Sequence, residues 1–187
     1  LDIGIEVRLW LREGARSAHA ARRRWRAGPA GCGLCGVESL QDAMRPIALL
    51  RSHFTIPAAE IVAAMTTLSD RQPLNHATRA AHAAAFYAPR QGITIVREDV
   101  GRHTALDKLI GALARQGKDA SDGVILMTSR VSIELIQKAA RIGAPVLAAI
   151  SAPSTLALEA AAACGLCVCG VVRENGLEVF TCMERIT

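Results

Sequence analysis

Cys32 and Cys35 stand in the run Gly31-Cys32-Gly33-Leu34-Cys35-Gly36, whose glycines give the two thiols no bulky neighbours in sequence and favour their exposure. Thiols so placed can do three kinds of chemistry. They can form half of a structural zinc site, cycle as a redox pair, or supply a nucleophilic thiolate that accepts and passes on sulfur. Arg22, Arg23, Arg24 and Arg26 lie just upstream, and their charge can lower a thiol pKa toward the thiolate. The spacing by itself leaves all three readings open. Of the later cysteines, Cys167 and Cys169 alternate in an expected strand and Cys164 closes an expected helix, which predicts buried core positions. Cys182 has no partner at metal or redox spacing.

A second set of polar residues follows apolar runs further along. Glu98-Asp99 with Gly101-Arg102-His103, Thr128-Ser129-Arg130 with Ser132, and Ser151-Ala152-Pro153-Ser154 each stand between a strand pattern and a helix pattern. In an open parallel sheet such junctions share the carboxyl edge, where helix N-termini offer amides to phosphate and hydroxyls add donors. Together they predict a pocket for a nucleotide-sized anion. Taken singly, the serines read as helix caps, and His103 and Asp107, four apart, as a pair across one helical turn.

The elements that must position these residues follow from periodicity. Ile3 to Trp10 alternates as a half-buried strand does, and Ala15 to Arg26 reads as a helix ended by Gly28-Pro29. Val37 to Met44 suits a short helical turn, and Pro57 opens a helix through Ile61, Val62, Met65 and Leu68. The alanine-rich stretch Pro73 to Tyr87 reads as helix. Beyond it, strands at Gly92–Arg97, Val124–Met127 and Val146–Ile150 alternate with helices at Arg102–Gln116, Ser132–Ile142 and Pro153–Cys164. Leu166–Val172 and Leu177–Thr181 flank Glu174-Asn175-Gly176, a hairpin signal. The expected fold is an α/β, αβα sandwich with a mostly parallel sheet ending in an antiparallel hairpin.

A chain of 187 residues, 51% hydrophobic and 3% aromatic, suits one main domain. Its net charge of +5 rests on arginine, since Lys108, Lys118 and Lys138 are its lysines, and it favours an anionic partner. Nucleic acid is not expected, because no basic run is interleaved with aromatics. No apolar run is long enough to span a bilayer and no signal segment opens the chain, so a cytoplasmic, reducing setting is expected. The start at Leu1, inside a strand pattern and without an initiator methionine, suggests a fragment or processed product. Zinc deaminase chemistry needs H-x-E with P-C-x-x-C; no histidine is followed two residues on by glutamate and neither C-x-x-C is preceded by proline. No Walker-type phosphate loop and no G-x-S-x-G elbow is present either.

The cysteine run, Glu98-Asp99-Val100-Gly101-Arg102-His103 with Ala105, Asp107 and Lys108, and Ser129-Arg130 with Ser132, Glu134, Lys138-Ala139, Gly143 and Pro145 form an ordered series. Continued by Ser151-Ala152-Pro153-Ser154 with Leu156-Ala157, the series closely resembles the FdhD family of formate dehydrogenase accessory sulfurtransferases. The resemblance implies a cytidine deaminase-like fold without the zinc site. It implies a sulfur carrier that takes persulfide sulfur from a cysteine desulfurase and passes it to the molybdenum cofactor, bis-molybdopterin guanine dinucleotide, for formate dehydrogenase. Cys32 would carry the persulfide and Cys35 would be the second thiol. The cofactor turn would be Val171, Val172, Arg173, Glu174, Asn175 and Gly176, with Thr78, His82, Asp99, Arg102, His103, Ser129, Arg130, Ser132 and Ser151 completing the guanine-nucleotide pocket. A homodimer is compatible with this reading, and no resident metal is expected. The alternative is a non-catalytic cofactor-binding chaperone whose thiols are incidental or redox-active.

Residues 1–30 would then be the tail of a truncated N-terminal region, 31–55 the cysteine loop and connector, and 56–187 the cofactor-binding domain. Two departures stand out. Thr78-Arg79-Ala80-Ala81-His82 replaces the family's usual Thr-Gly-Gly-x-His, adding side chains where backbone would approach a ligand, and Thr104 replaces the usual asparagine.

Overall fold

Val124–Met127 and Val146–Ala149 are short uninterrupted apolar runs, and every residue in both is buried. Only strands covered on both faces read this way. The computed structural model describes residues 10–20 and 47–187. In chain order it contains α1 (Glu13–Ala20), α2 (Ala58–Ser69), α3 (Pro73–Thr78), β1 (His82–Ala88), β2 (Gly92–Asp99) and α4 (Arg102–Arg115). There follow β3 (Val124–Met127), α5 (Ile133–Arg141), β4 (Val146–Ala149), α6 (Thr155–Cys164), β5 (Cys167–Arg173), β6 (Gly176–Val179) and a 3₁₀ turn at Met183–Arg185.

The described strands form one sheet in the order β2-β1-β3-β4-β5-β6. β3, β4 and β5 pair in parallel at its centre, and the pairings toward both edges are antiparallel. Side chains alternate between two cores, as a strand's twofold period requires. Ala84, Phe86, Ile125, Met127, Leu147 and Val168 face α4, α5 and α6. Ala83, Ala85, Val124, Leu126, Val146 and Ala148 face the layer that holds α2. Each buried leucine or isoleucine in these layers contributes roughly 2 kcal/mol of hydrophobic stabilisation. The αβα sandwich is thus present, with its parallel pairing confined to the middle.

The alanine-rich segment departs from the helix expected over Pro73 to Tyr87. Its helix stops at Thr78, and His82–Ala88 is a strand wedged between β2 and β3. Alanine's helix preference is a few tenths of a kcal/mol per residue over most side chains, and a slot buried on both sides outweighs it. Arg79 ends α3 at φ 55°, ψ 21°, in the left-handed region that costs an L-residue about 1–2 kcal/mol and suits the glycine expected there. Pro57 precedes α2 as its N-cap. Of the N-terminal readings, the strand over Ile3 to Leu9, the part of the helix beyond Ala20 and the turn at Val37–Met44 lie outside the described residues.

Candidate functional site

The pairing directions decide where the polar residues go. β1 is antiparallel to both β2 and β3, so β2 runs the same way as β3, β4 and β5, while β1 and β6 run opposite. The carboxyl ends of β2 through β5 and the starts of β1 and β6 therefore share one edge. His82 stands opposite Asp99 there, and Arg173 opposite Gly176. Thr78, His82, Asp99, Arg102, His103, Ser129, Arg130, Ser132, Ser151 and the run Val171–Gly176 all belong to this edge or the loops leaving it. Cys32 and Cys35 lie outside the described residues.

Local bonds fix the backbone of the edge. Thr128 Oγ1 accepts from the Ala83 amide at 2.7 Å, and Ile150 N donates to Met127 O at 3.1 Å. Val131 and Pro153 make a parallel bridge that ties the loops after β3 and β4, with Ser154 N donating to Val131 O at 3.0 Å. Gly170 lets β5 come close to that junction: a Cβ there would stand 3.1 Å from Pro153 Cδ and 2.8 Å from Phe180 Cε2. The β5–β6 register shifts between Gly170 and Arg173, and Val171 sits at φ 51°. A β-branched residue in the left-handed region is strained by about 1–2 kcal/mol, the kind of cost that clusters where a chain is shaped for a ligand. The expected hairpin is present, with Glu174 and Asn175 as its two turn residues and Gly176, at φ 146°, as the first residue of β6 rather than at the centre of the turn.

Some expected ligand residues are occupied within the chain. Arg173 Nη1 donates to Ile150 O and to Val172 O, joining the ends of β4 and β5. Thr78 Oγ1 donates to Leu74 O at 2.8 Å and accepts from Ala80 N at 3.2 Å, closing its own helix. Ser129 Oγ donates to Arg130 O at 3.1 Å. Ser154 caps α6, accepting from Ala157 N at 3.3 Å, as serines at such junctions should. Ser132 occupies the N-cap position of α5 without capping it, and its buried hydroxyl has no partner among the described residues.

Charge is arranged around α4 and α5. Asp99 Oδ2 lies 2.7 Å from Lys108 Nζ, and Asp99 Oδ1 accepts from Gly101 N at 2.8 Å. Burial works to raise that carboxyl, but the bonds from Lys108 and Gly101 and the Lys108 charge outweigh it and hold it below the usual range. The expected pairing of His103 with Asp107 is not made. Asp107 Oδ2 accepts from Lys138 at 2.7 Å, and His103 Nδ1 instead faces Glu134 Oε2 at 3.4 Å. Lys138 reaches across to Asp107 and so takes the carboxylate that His103 could have met within one turn, while Glu134 faces the ring from the neighbouring helix. Burial, assisted by the charges of Arg102 and Lys138 and opposed by Glu134 and Asp107, pushes His103 down to about 4. The imidazole is therefore neutral at pH 7.

Spacing does not reveal the partners that Glu98 and Glu134 take in the fold. Glu98 accepts from the amides of Leu74 and Asn75, both at 2.9 Å, and so fixes the start of α3. Their partners lie far away in sequence, so no local pattern marks them.

Cys164, Cys167 and Cys169 are fully buried in the two apolar cores, as expected of core cysteines. The bond with Cys169 and burial raise the Cys167 thiol far above its ordinary range, so it is unreactive. Among the described residues, no three His, Cys, Asp or Glu side chains gather as a metal ion would require. A cavity of about 590 Å³ lies at the opposite edge of the sheet, between residues 49–54 and the loops at Ser121–Asp122 and Gly143. None of the expected site residues lines it. No described helix is long and apolar enough to cross a membrane.

An αβα domain built on a six-stranded mixed sheet places the chain in the α/β class. Comparison narrows it. Residues 3–187 match the FdhD/NarQ family model. The chain is 49% identical over 184 residues to the sulfur carrier protein FdhD of Agrobacterium fabrum, covering 98% of this chain and 68% of that one. It is 46% identical over 186 residues to the protein of the same name from Brucella abortus, covering 99% and 69%. A crystal structure of a candidate formate dehydrogenase accessory protein from Desulfotalea psychrophila superposes with TM-score 0.71 at 28% identity, over 79% of this chain and 62% of that one. The chain belongs to the FdhD/NarQ family, and it spans about two thirds of the length of these relatives.

Proposed function

We propose that the protein is a sulfur carrier of the formate dehydrogenase pathway, with Cys32 as the sulfur-bearing residue. The observation that carries this is the match over residues 3–187 to a family whose curated relatives are named sulfur carrier proteins, together with the Cys32-Gly33-Leu34-Cys35 run in this chain. In the first step the Cys32 thiolate attacks the sulfane sulfur of a donor persulfide, the donor cysteine leaving as thiolate. Arg22, Arg23, Arg24 and Arg26 are near in sequence and would favour the anionic form of the attacking thiol if they stand close to it. Cys35 then assists or relays the sulfur. A cysteine desulfurase is the donor this scheme needs, and bis-molybdopterin guanine dinucleotide is the acceptor substrate. The carboxyl edge suits the nucleotide ends of that acceptor: it offers the start of α5 beside the open Ser132 hydroxyl and a neutral imidazole. At that acceptor, the side chains of the edge bind and orient the nucleotide and exclude water.

Incubation with a desulfurase, cysteine and a persulfide-selective label, followed by mass spectrometry, tests the carrier role. The native chain is expected to gain one sulfur at the Cys32–Cys35 peptide, and Cys32→Ala to lose the label. Undiminished labelling of Cys32→Ala would sink the assignment.

A further inference from the structure

His103, in the first turn of α4, meets Glu134, in the first turn of α5, with Nδ1 and Oε2 3.4 Å apart and side chains 16% and 12% exposed. A carboxylate placed there attracts an N–H and repels a lone pair. It therefore favours the imidazole tautomer that carries its hydrogen on Nδ1, which leaves Nε2 as a lone-pair acceptor. Nε2, like Nδ1, is buried and makes no hydrogen bond among the described residues, so the tie from Nδ1 to Glu134 is a charge contact, and Nε2 makes no such contact among them. The hydroxyl of Ser132, on a residue only 7% exposed and two positions before Glu134, is in the same condition. Folded proteins pair their buried polar atoms, and those left unpaired at a helix start are exceptions that need an explanation.

We propose that Glu134 is a positioning residue that holds His103 with Nε2 as an acceptor, so that His103 reads an N–H or O–H donor on the bound ligand. This rests on the guanine-nucleotide reading of the edge, and it adds a selection that phosphate recognition cannot supply. Phosphate oxygens at neutral pH accept hydrogen bonds, so a lone-pair acceptor disfavours them and favours a base edge or a ribose hydroxyl. The charged groups around the ring agree with this role. Arg102 and Lys138 oppose protonation, Lys138 standing 3.5 Å from the His103 carbonyl, while Glu134 and the Lys138-bound Asp107 favour it. Burial decides the balance, and the ring stays neutral down to about pH 4.

Two measurements test the proposal. In ¹⁵N-edited NMR of the histidine ring nitrogens, with His103→Gln assigning the signals, native His103 is expected to show a protonated Nδ1 and a bare Nε2. Glu134→Gln is expected to shift that ring toward the other tautomer, a change that a merely structural role would not produce. In calorimetry, guanosine diphosphate is expected to bind His103→Leu about tenfold more weakly than the native chain, the loss typical of one hydrogen bond at a buried site. His103→Gln, which keeps an acceptor, should bind close to native strength, and inorganic pyrophosphate should bind all of these chains alike. Weaker native binding of inosine diphosphate places the donor on the base; weaker binding of 2′-deoxyguanosine diphosphate places it on the ribose. A protonated Nε2 in the native protein, or full-strength nucleotide binding by His103→Leu, overturns this inference and leaves the nucleotide reading standing. Failure of the native chain to bind guanosine diphosphate removes both.

Discussion

Arg185 and His103 are polar side chains drawn inward at opposite edges of one sheet, and the protein treats them differently. Arg185 is 6% exposed; its Nη1 donates to Ser52 O at 2.6 Å and its Nη2 to Gly165 O at 3.2 Å. Close by, Thr181 donates to Leu166 O at 2.7 Å and accepts from Val168 N at 3.0 Å, closing the start of β5 against the C-terminal segment. Only the Arg185 Nε lacks a partner there among the described residues. At the carboxyl edge, both ring nitrogens of His103 and the Ser132 hydroxyl are buried and make no hydrogen bond among the described residues. A buried polar group bonded to backbone fastens the chain to itself, whereas one left open at the strand ends is a place for something outside the chain. Left-handed non-glycine residues occur at both edges, Arg79 and Val171 at the carboxyl edge and Arg90 and Cys182 at the other, so backbone strain does not separate them.

If the two edges differ in this way, substitutions should separate them. The largest effect is expected for Arg185→Ala, which strips donors from two buried carbonyls and opens a gap: a loss of about 3 kcal/mol or more in urea unfolding. A loss below about 1 kcal/mol would erase the contrast.

Lowering the pH should act on the other edge. His103 takes a proton near pH 6.5 when unfolded but only near 4 when folded. Below 6.5 the unfolded chain therefore binds more protons, and stability falls as pH drops, by at most about 1.4 kcal/mol per unit, levelling off below about 4. His103→Gln should flatten that part of the profile of unfolding free energy against pH. A slope unchanged by the substitution would mean that other groups govern it.

The smallest effect is expected at Ser132. Removing a hydroxyl that no chain group answers should leave Ser132→Ala as stable as the native protein or up to about 1 kcal/mol more stable in thermal unfolding, while weakening nucleotide binding. A clear destabilisation would show the hydroxyl to be structural, and the two edges alike.

Much of this molecule can be read from local pattern. The apolar runs of β3 and β4, the spacing of Leu106, Leu109 and Leu113 on α4, and the Asn-Gly hairpin each announce their element, because burial period and turn chemistry act over a few residues. The collection of polar residues at strand ends was equally legible, since it follows from the alternation of strand and helix. The strand at His82–Ala88 was not. Its alanines favour helix, and only the slot between β2 and β3 makes them a strand. Likewise Asp107, Glu134 and Glu98 carry no mark of the partners they take from other elements.

From sequence alone came the thiol pair at Cys32 and Cys35, the alternation of strands and helices from Gly92 onward, and the residues that could meet a phosphate-bearing ligand. All of these depend on residue type and short-range spacing. Tertiary structure decided that β2 runs with β3, β4 and β5, so that His82, Asp99 and His103 join the edge formed by Ser132 and Arg173. It also decided which of those residues are already engaged and which stand open. Such choices depend on what lies across a buried interface, and desolvation and charge pairing between remote segments leave no trace in the local pattern.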